Sequence, residues 1–217
     1  MVLAVLRDYK AKTLKYKHVV GILEAIECVD FVFSAITSQR SSGGISNMYA
    51  THAIELFKAK SAEKKLETLE KLKAELKRRL PSYAEFEANF MEVVNTDDQT
   101  KQKRLVQYLM ANIDAQSSNG IPVDYEQMTF EHLSPQKPKD GLNPSEYVGT
   151  IGNLLLVNSK LNQKLSNKPF QKKKEILGRS KVTLDEIIVN SDQWGDEEIQ
   201  ARSKFLAKKA YEEIWKL

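Results

Sequence analysis

In the stretch TFEHLSPQKPKDG, residues 129–141, a histidine stands between an acid and a rigid turn. It is His132, one of three histidines in a chain of 217 residues, and Glu131 precedes it. Two asparagines follow, Asn153 and Asn162, and then a run of lysines, Lys164, Lys168, Lys172, Lys173 and Lys174. Residues of these types can hydrolyse a phosphodiester. A water must lose a proton near neutral pH, and imidazole is the natural base. A hard divalent cation must balance the charge on the reacting and leaving oxygens, and oxygen ligands suit it. Ammonium groups must hold the flanking phosphates. The sequence contains a residue for each of these tasks.

A β-hairpin followed by a helix can position them. YEQMTFEHL alternates and carries Tyr, Thr and Phe, which predicts a short strand ending at His132. SPQKPKDGLNPSEYVG is a long turn, in which Lys137 and Lys139 either touch phosphate or only solvate the loop. GNLLLV predicts a second short strand, opened by Asn153, and NSKLNQKLSN starts a helix with Asn158 or Ser159 as its cap. Alternation sends Glu131 and His132 to opposite faces unless the strand bends, and Pro135 can re-aim the pair. Asn158 and Asn162, four residues apart, share a face if the cap is already helical.

The flanking segments read as helix. Residues 18–36 are apolar at close spacing, and 46–60 follow with Ser46 or Asn47 as cap. Residues 61–80 carry Leu66, Leu69, Leu72, Leu76 and Leu80 on one stripe, capped by Ser61 and stopped by Pro81. Two amphipathic helices follow, through Phe86, Phe90 and Val94 and through Leu105, Leu109 and Ile113. AQSSNGIPVDY, 115–125, has linker chemistry. The last segments return to helix, with Ile199, Phe205, Leu206 and Trp215 inward. The expected division is a helical subdomain, 1–120, and a catalytic unit with closing helices, 121–217, packed as one globular domain.

Composition narrows the class. Hydrophobic residues are 41% and charged residues 29%, which is globular. The lone Cys28 excludes an internal disulfide or a multi-cysteine zinc site, and in its apolar helix it reads as inert core. No apolar run is long enough to span a membrane and the N-terminus charges too soon for a signal peptide, so a cytoplasmic location is expected. The net charge of +4 is uneven: residues 160–181 carry +7 and the remainder −3. A basic patch on an acidic body points to a polyanion such as DNA, and the plainer reading is a solvated helix face. His18 and His52 lack such neighbours and read as structural, Trp194 and Trp215 as packing residues, and Asn167 as a helix C-cap.

EHLSPQ followed by YVGTIGNLLLVNSKLNQKLSNKPFQKKKEIL resembles the HNH-like, His-Me finger nuclease domain at the C-terminal end of GmrSD-type restriction and phage-defence proteins. FVFSAITSQRSSGGISN resembles the family's upstream helix with its arginine, here Arg40, and DQWGDEEIQARSKFLAKKAYEEIW its closing helix. The resemblance implies an α+β fold, mainly α, in which a helical bundle frames a small ββα-metal unit. It implies that His132 is the general base, Asn162 a metal ligand on the helix and Glu131 a second ligand. Asn153 would orient the long loop or the imidazole. The implied cofactor is a divalent metal ion, Mg2+ or alternatively Mn2+. Lys137, Lys164, Lys168, Lys172, Lys173 and Lys174 would contact DNA. The implied activity is metal-dependent cleavage or nicking of DNA. An N-terminal nucleotide-hydrolysing domain, absent from this chain, is an implied partner; a homodimer is a separate expectation. The alternatives are an inactive nucleic-acid-binding module and a helical interaction domain.

Overall fold

The computed structural model describes residues 1–37, 44–117, 124–138 and 143–217, and within them the leucine stripe forms the helix its spacing predicts. Helices α1 (Val2–Lys10), α2 (Tyr16–Asp30), α3 (Gly44–Lys58) and α4 (Ala62–Arg79) build the first compact unit, Met1–Glu85 with Trp215–Leu217. Ser61 caps α4, its hydroxyl accepting from the Lys64 N–H at 3.3 Å, and Leu80 leaves in extended conformation before Pro81. Leu69, Leu72 and Leu76 are buried, each contributing roughly 1.5–3 kcal/mol. They meet Ile22, Val29 and Leu56 in one core. Asp8 on α1 is buried and bridges Lys65 on α4 at 2.8 Å. The helix expected over 18–36 ends as a wide π-type turn at Phe31–Ile36, where Phe31 stacks on Trp215 with ring centres 4.1 Å apart. Arg40, on the segment likened to the family's upstream helix, lies outside the described residues, as does Lys139.

Helix α5 (Tyr83–Met91) leads into the second unit, Phe86–Ile214. The unit contains α6 (Lys103–Ser117), strands β1 (Met128–His132) and β2 (Leu154–Asn158), α7 (Ser159–Leu165), α8 (Phe170–Gly178), α9 (Glu186–Asn190) and α10 (Asp196–Lys209). The boundary between the units falls at Glu85/Phe86 rather than at 120, because α6 packs on β2 and belongs with the hairpin. The two strands pair antiparallel, with His132 opposite Leu154 and Met128 opposite Asn158. The fold is therefore α+β, mainly α, with one small hairpin followed directly by a helix. Leu155 and Val157 of β2 join Leu133, Leu165, Phe170, Leu177 and Ile199 in the core under the hairpin. Val93, rather than Val94, is the buried one of that pair, and Phe205 is only half-buried. Among the described residues, no helix is long and apolar enough to cross a membrane.

Candidate active site

The end of β1 is held from three directions. The His132 imidazole meets the Asn95 carbonyl through Nε2 at 3.0 Å, and its Nδ1 faces the Gln136 amide at 3.3 Å. A carbonyl can only accept, so Nε2 carries the proton and Nδ1 keeps its lone pair. Asn95 reaches this place because Val94 bridges Thr150 in a short antiparallel contact and the Asn95 N–H donates to the Gly149 carbonyl at 2.8 Å. Gln136 is held in turn by the Asp97 N–H, 3.0 Å from its Oε1. Burial lowers the pKa of His132 below the ordinary imidazole value, outweighing the Asn95 carbonyl and the Asp97 charge, which raise it. The imidazole is thereby kept neutral at neutral pH, the form a base requires.

Asn153 is fully buried and clamps the turn that leaves β1. Its Oδ1 accepts from the Ser134 N–H at 2.7 Å and from Trp194 Nε1 at 3.1 Å. Its Nδ2 donates to the carbonyls of Ser134 and Val148 at 2.9 and 2.8 Å. Of the two orienting tasks expected of it, its contacts match the loop, since none of these reaches the imidazole. Trp194 stacks on Phe170 at 4.8 Å, so it both packs and fixes the carboxamide. Helix α10 secures the turn at Ile151–Asn153 that enters β2. Arg202 donates to the Gly152 and Leu154 carbonyls at 2.7 and 2.8 Å and pairs with Asp185 at 2.7 Å. Ser203 accepts from the Gly152 N–H at 3.0 Å. A Cβ on Gly152 would stand 2.1 Å from the Ile199 carbonyl oxygen, so only glycine permits this approach.

Glu131, His132, Pro135, Lys137, Asn162 and Lys173 line one cleft of about 370 Å³. Glu131 turns toward α8, and its Oε1 lies 2.5 Å from Lys173 Nζ, with the two side chains 4% and 1% exposed. The contact is an ion pair rather than a well-directed hydrogen bond, for Oε1 has no partner at good angle. Lys173 also donates to the His132 carbonyl at 2.5 Å. Burial raises the Glu131 pKa and lowers that of Lys173, against their mutual attraction. Alternation along β1 is kept, since the acid engages α8 and the imidazole engages the 95–97 loop, yet the cleft takes in both. Asn162 donates through Nδ2 to Thr129 Oγ1 at 2.9 Å and to the Phe130 carbonyl at 3.2 Å, which leaves Oδ1 as the end able to bind a cation. Asn158 is an extended N-cap, its Oδ1 accepting from the Leu161 N–H at 2.9 Å, so it does not share the helical face of Asn162. The helix ends at Ser166, with φ 45°, and not at Asn167.

The lysine run divides. Lys173 is a correction: it was expected to touch phosphate, but at 1% exposure it is committed to Glu131 and His132, because α8 turns it inward beside the core residue Leu177. Lys174 is half-buried and donates to the Ser191 carbonyl at 2.7 Å. Lys168 donates to the Lys164 carbonyl. Lys137, Lys164 and Lys172 are exposed, Lys172 beside Glu175 at 3.3 Å.

The other residues of interest are occupied structurally. His52 meets Glu75 at 3.0 Å, and His18 accepts from the Lys15 N–H at 3.3 Å. Cys28 is buried, and burial pushes its thiol up to about 12.

Residues 80–209, which hold the hairpin, the clamp and the cleft, match the family described as GmrSD restriction endonucleases, C-terminal domain. The chain belongs to that family. It is thereby placed with the nuclease parts of restriction systems. A comparison with curated proteins finds no match. The donor set of the cleft is of the kind a hard divalent cation takes. It offers the Asn162 amide oxygen and the carboxylates of Glu131 and Asp97. Among the described residues no three His, Cys, Asp or Glu side chains gather into a group that could hold a metal ion. Sequence reading missed Asn95, whose role lies in its main-chain carbonyl, and Gln136, which carries no signal beyond lying four residues after His132. Arg202 and Gly152 were missed too. The signal for Gly152 was present, a glycine directly before Asn153, where a backbone must be approached closely.

Proposed function

We propose that the domain is a metal-dependent DNA endonuclease or nickase acting in restriction of foreign DNA, with His132 as its general base. The observation that carries this reading is the contact of His132 Nε2 with the Asn95 carbonyl, which accepts a hydrogen bond from Nε2–H and leaves Nδ1 as the basic nitrogen, in a cleft shared with Glu131 and Asn162. Nδ1 accepts the proton of the attacking water as oxygen adds to phosphorus and the 3′ oxygen leaves. Asn95 fixes the ring so that the lone pair stays aimed, and Asn153 keeps the turn beyond it from moving. Asn162 and Glu131 would hold the cation, Mg2+ or Mn2+, which when bound neutralises charge on the phosphate and on the departing oxygen. Lys137, Lys164, Lys168 and Lys172 would hold the flanking phosphates, with affinity that falls as salt rises.

One observation favours a second reading, a DNA-binding module that does not cleave. The Glu131 carboxylate already has a cationic partner in Lys173. Supercoiled plasmid incubated with Mg2+ or Mn2+, with EDTA controls and a parallel gel shift, separates the two. The nuclease gives nicked or linear plasmid that EDTA abolishes. Retardation without any metal-stimulated cleavage would leave the binding module and refute the nuclease.

A further inference from the structure

Lys173 sits where a surface lysine run should continue outward. Its neighbours Lys172 and Lys174 are exposed and half-buried, whereas its own ammonium is inside, touching the acid before His132 and the carbonyl of His132 itself. Burying an ammonium is unfavourable unless charge and hydrogen bonds compensate it. Both compensations come from the strand end that carries the proposed base. The pair is also not sealed in the apolar core, for Lys173, Glu131, His132 and Asn162 line the same cleft. A positive charge therefore already occupies the place beside Glu131 that a divalent cation would need. We propose that the Lys173 ammonium is a resident cation at Glu131, and that a divalent metal ion engages this carboxylate only in competition with it.

This inference rests on the reading of Glu131 and Asn162 as the residues that hold the metal. Its physical basis is elementary. Two cations sharing one carboxylate repel each other strongly in a partly buried site. Lys173 then has two effects. It keeps the strand end assembled before metal arrives, by neutralising Glu131 and binding the His132 carbonyl. It also weakens the affinity of the site for metal, so that the site fills only at higher cation concentration.

The test is a Mn2+ titration of the full chain at fixed pH, read by electron paramagnetic resonance or calorimetry. Lys173→Met is expected to bind Mn2+ tighter than the parent by about tenfold or more, since one repelling charge is gone. Glu131→Gln should weaken binding, and Lys173→Met/Glu131→Gln should be no tighter than the parent. Lys173→Met leaves a buried carboxylate without its partner and can unfold. In that case Mn2+ must restore its fold, read by circular dichroism, and must fail to restore the fold of Lys173→Met/Glu131→Ala. The proposal is overturned if Lys173→Met binds Mn2+ no tighter than the parent, if the double variant keeps the gain, or if Mn2+ does not refold an unfolded Lys173→Met. None of these readouts needs cleavage. Mn2+ competition in a protein that cuts no DNA would sink the nuclease reading and leave this one standing.

Discussion

At the scale of single residues, the site depends on which polar atoms are already satisfied. His132 has one nitrogen committed to a carbonyl and the other facing the Gln136 amide, so the choice of tautomer is made by Asn95 rather than by the imidazole. Asn153 is the opposite case, with two acceptor and two donor contacts all directed at the turn and at Trp194. Replacing it by alanine strands the Ser134 N–H and the Trp194 indole N–H, each buried donor costing about 1–3 kcal/mol. Asn153→Ala should therefore lose roughly 2 kcal/mol or more in urea unfolding, and DNA cleavage should fall with it. An unchanged midpoint would mean that the clamp contributes nothing. The sequence suggested Asn153 by its position at the opening of a strand, but left open whether it grips the loop or the ring. That choice depends on where Ser134, Val148 and Trp194 come together, 5 to 41 residues away in the chain.

At the scale of elements, the hairpin and its following helix were legible because their signals are local. Alternation marks β1, a β-branched and leucine-rich run marks β2, and an asparagine cap marks the start of α7. The inward turn of Lys173 was not legible, since a lysine among lysines looks solvated until α8 is packed against the core. Nor was the seating of α10, which depends on a contact between residues some fifty positions apart. That contact makes a sharp prediction. Gly152→Ala would drive a methyl into the Ile199 carbonyl and Ser203, so α10 must shift and Arg202 must lose its carbonyl partners. Overpacking of this kind costs about 1–3 kcal/mol, and backbone displacement takes it to the upper end or past it. Chemical denaturation of Gly152→Ala measures the loss, and a variant as stable as the parent would show that the helix is free to move.

At the scale of the molecule, two charge arrangements serve different ends. In the first unit, Asp8 is buried between Arg7 and Lys65. Burial pushes its carboxyl up, but the two cations outweigh this and hold it below its ordinary value. A carboxyl with a depressed folded pKa stabilises the fold above the unfolded pKa, and that stabilisation is lost as pH falls through the folded value. Thermal stability should accordingly drop on acidification below about pH 4, and Asp8→Asn should flatten that drop. An identical acid profile for the variant would contradict the assignment. In the second unit, the exposed lysines beside the cleft and the neutral imidazole within it carry the functional claim, that His132 takes a proton from water attacking a DNA phosphate. Single-turnover cleavage of a short duplex with Mn2+, at protein concentrations that saturate DNA binding, tests it most directly. His132→Ala should bind the duplex like the parent and cut it ~10²–10⁴-fold more slowly. Equal cleavage rates for the two proteins would contradict the account.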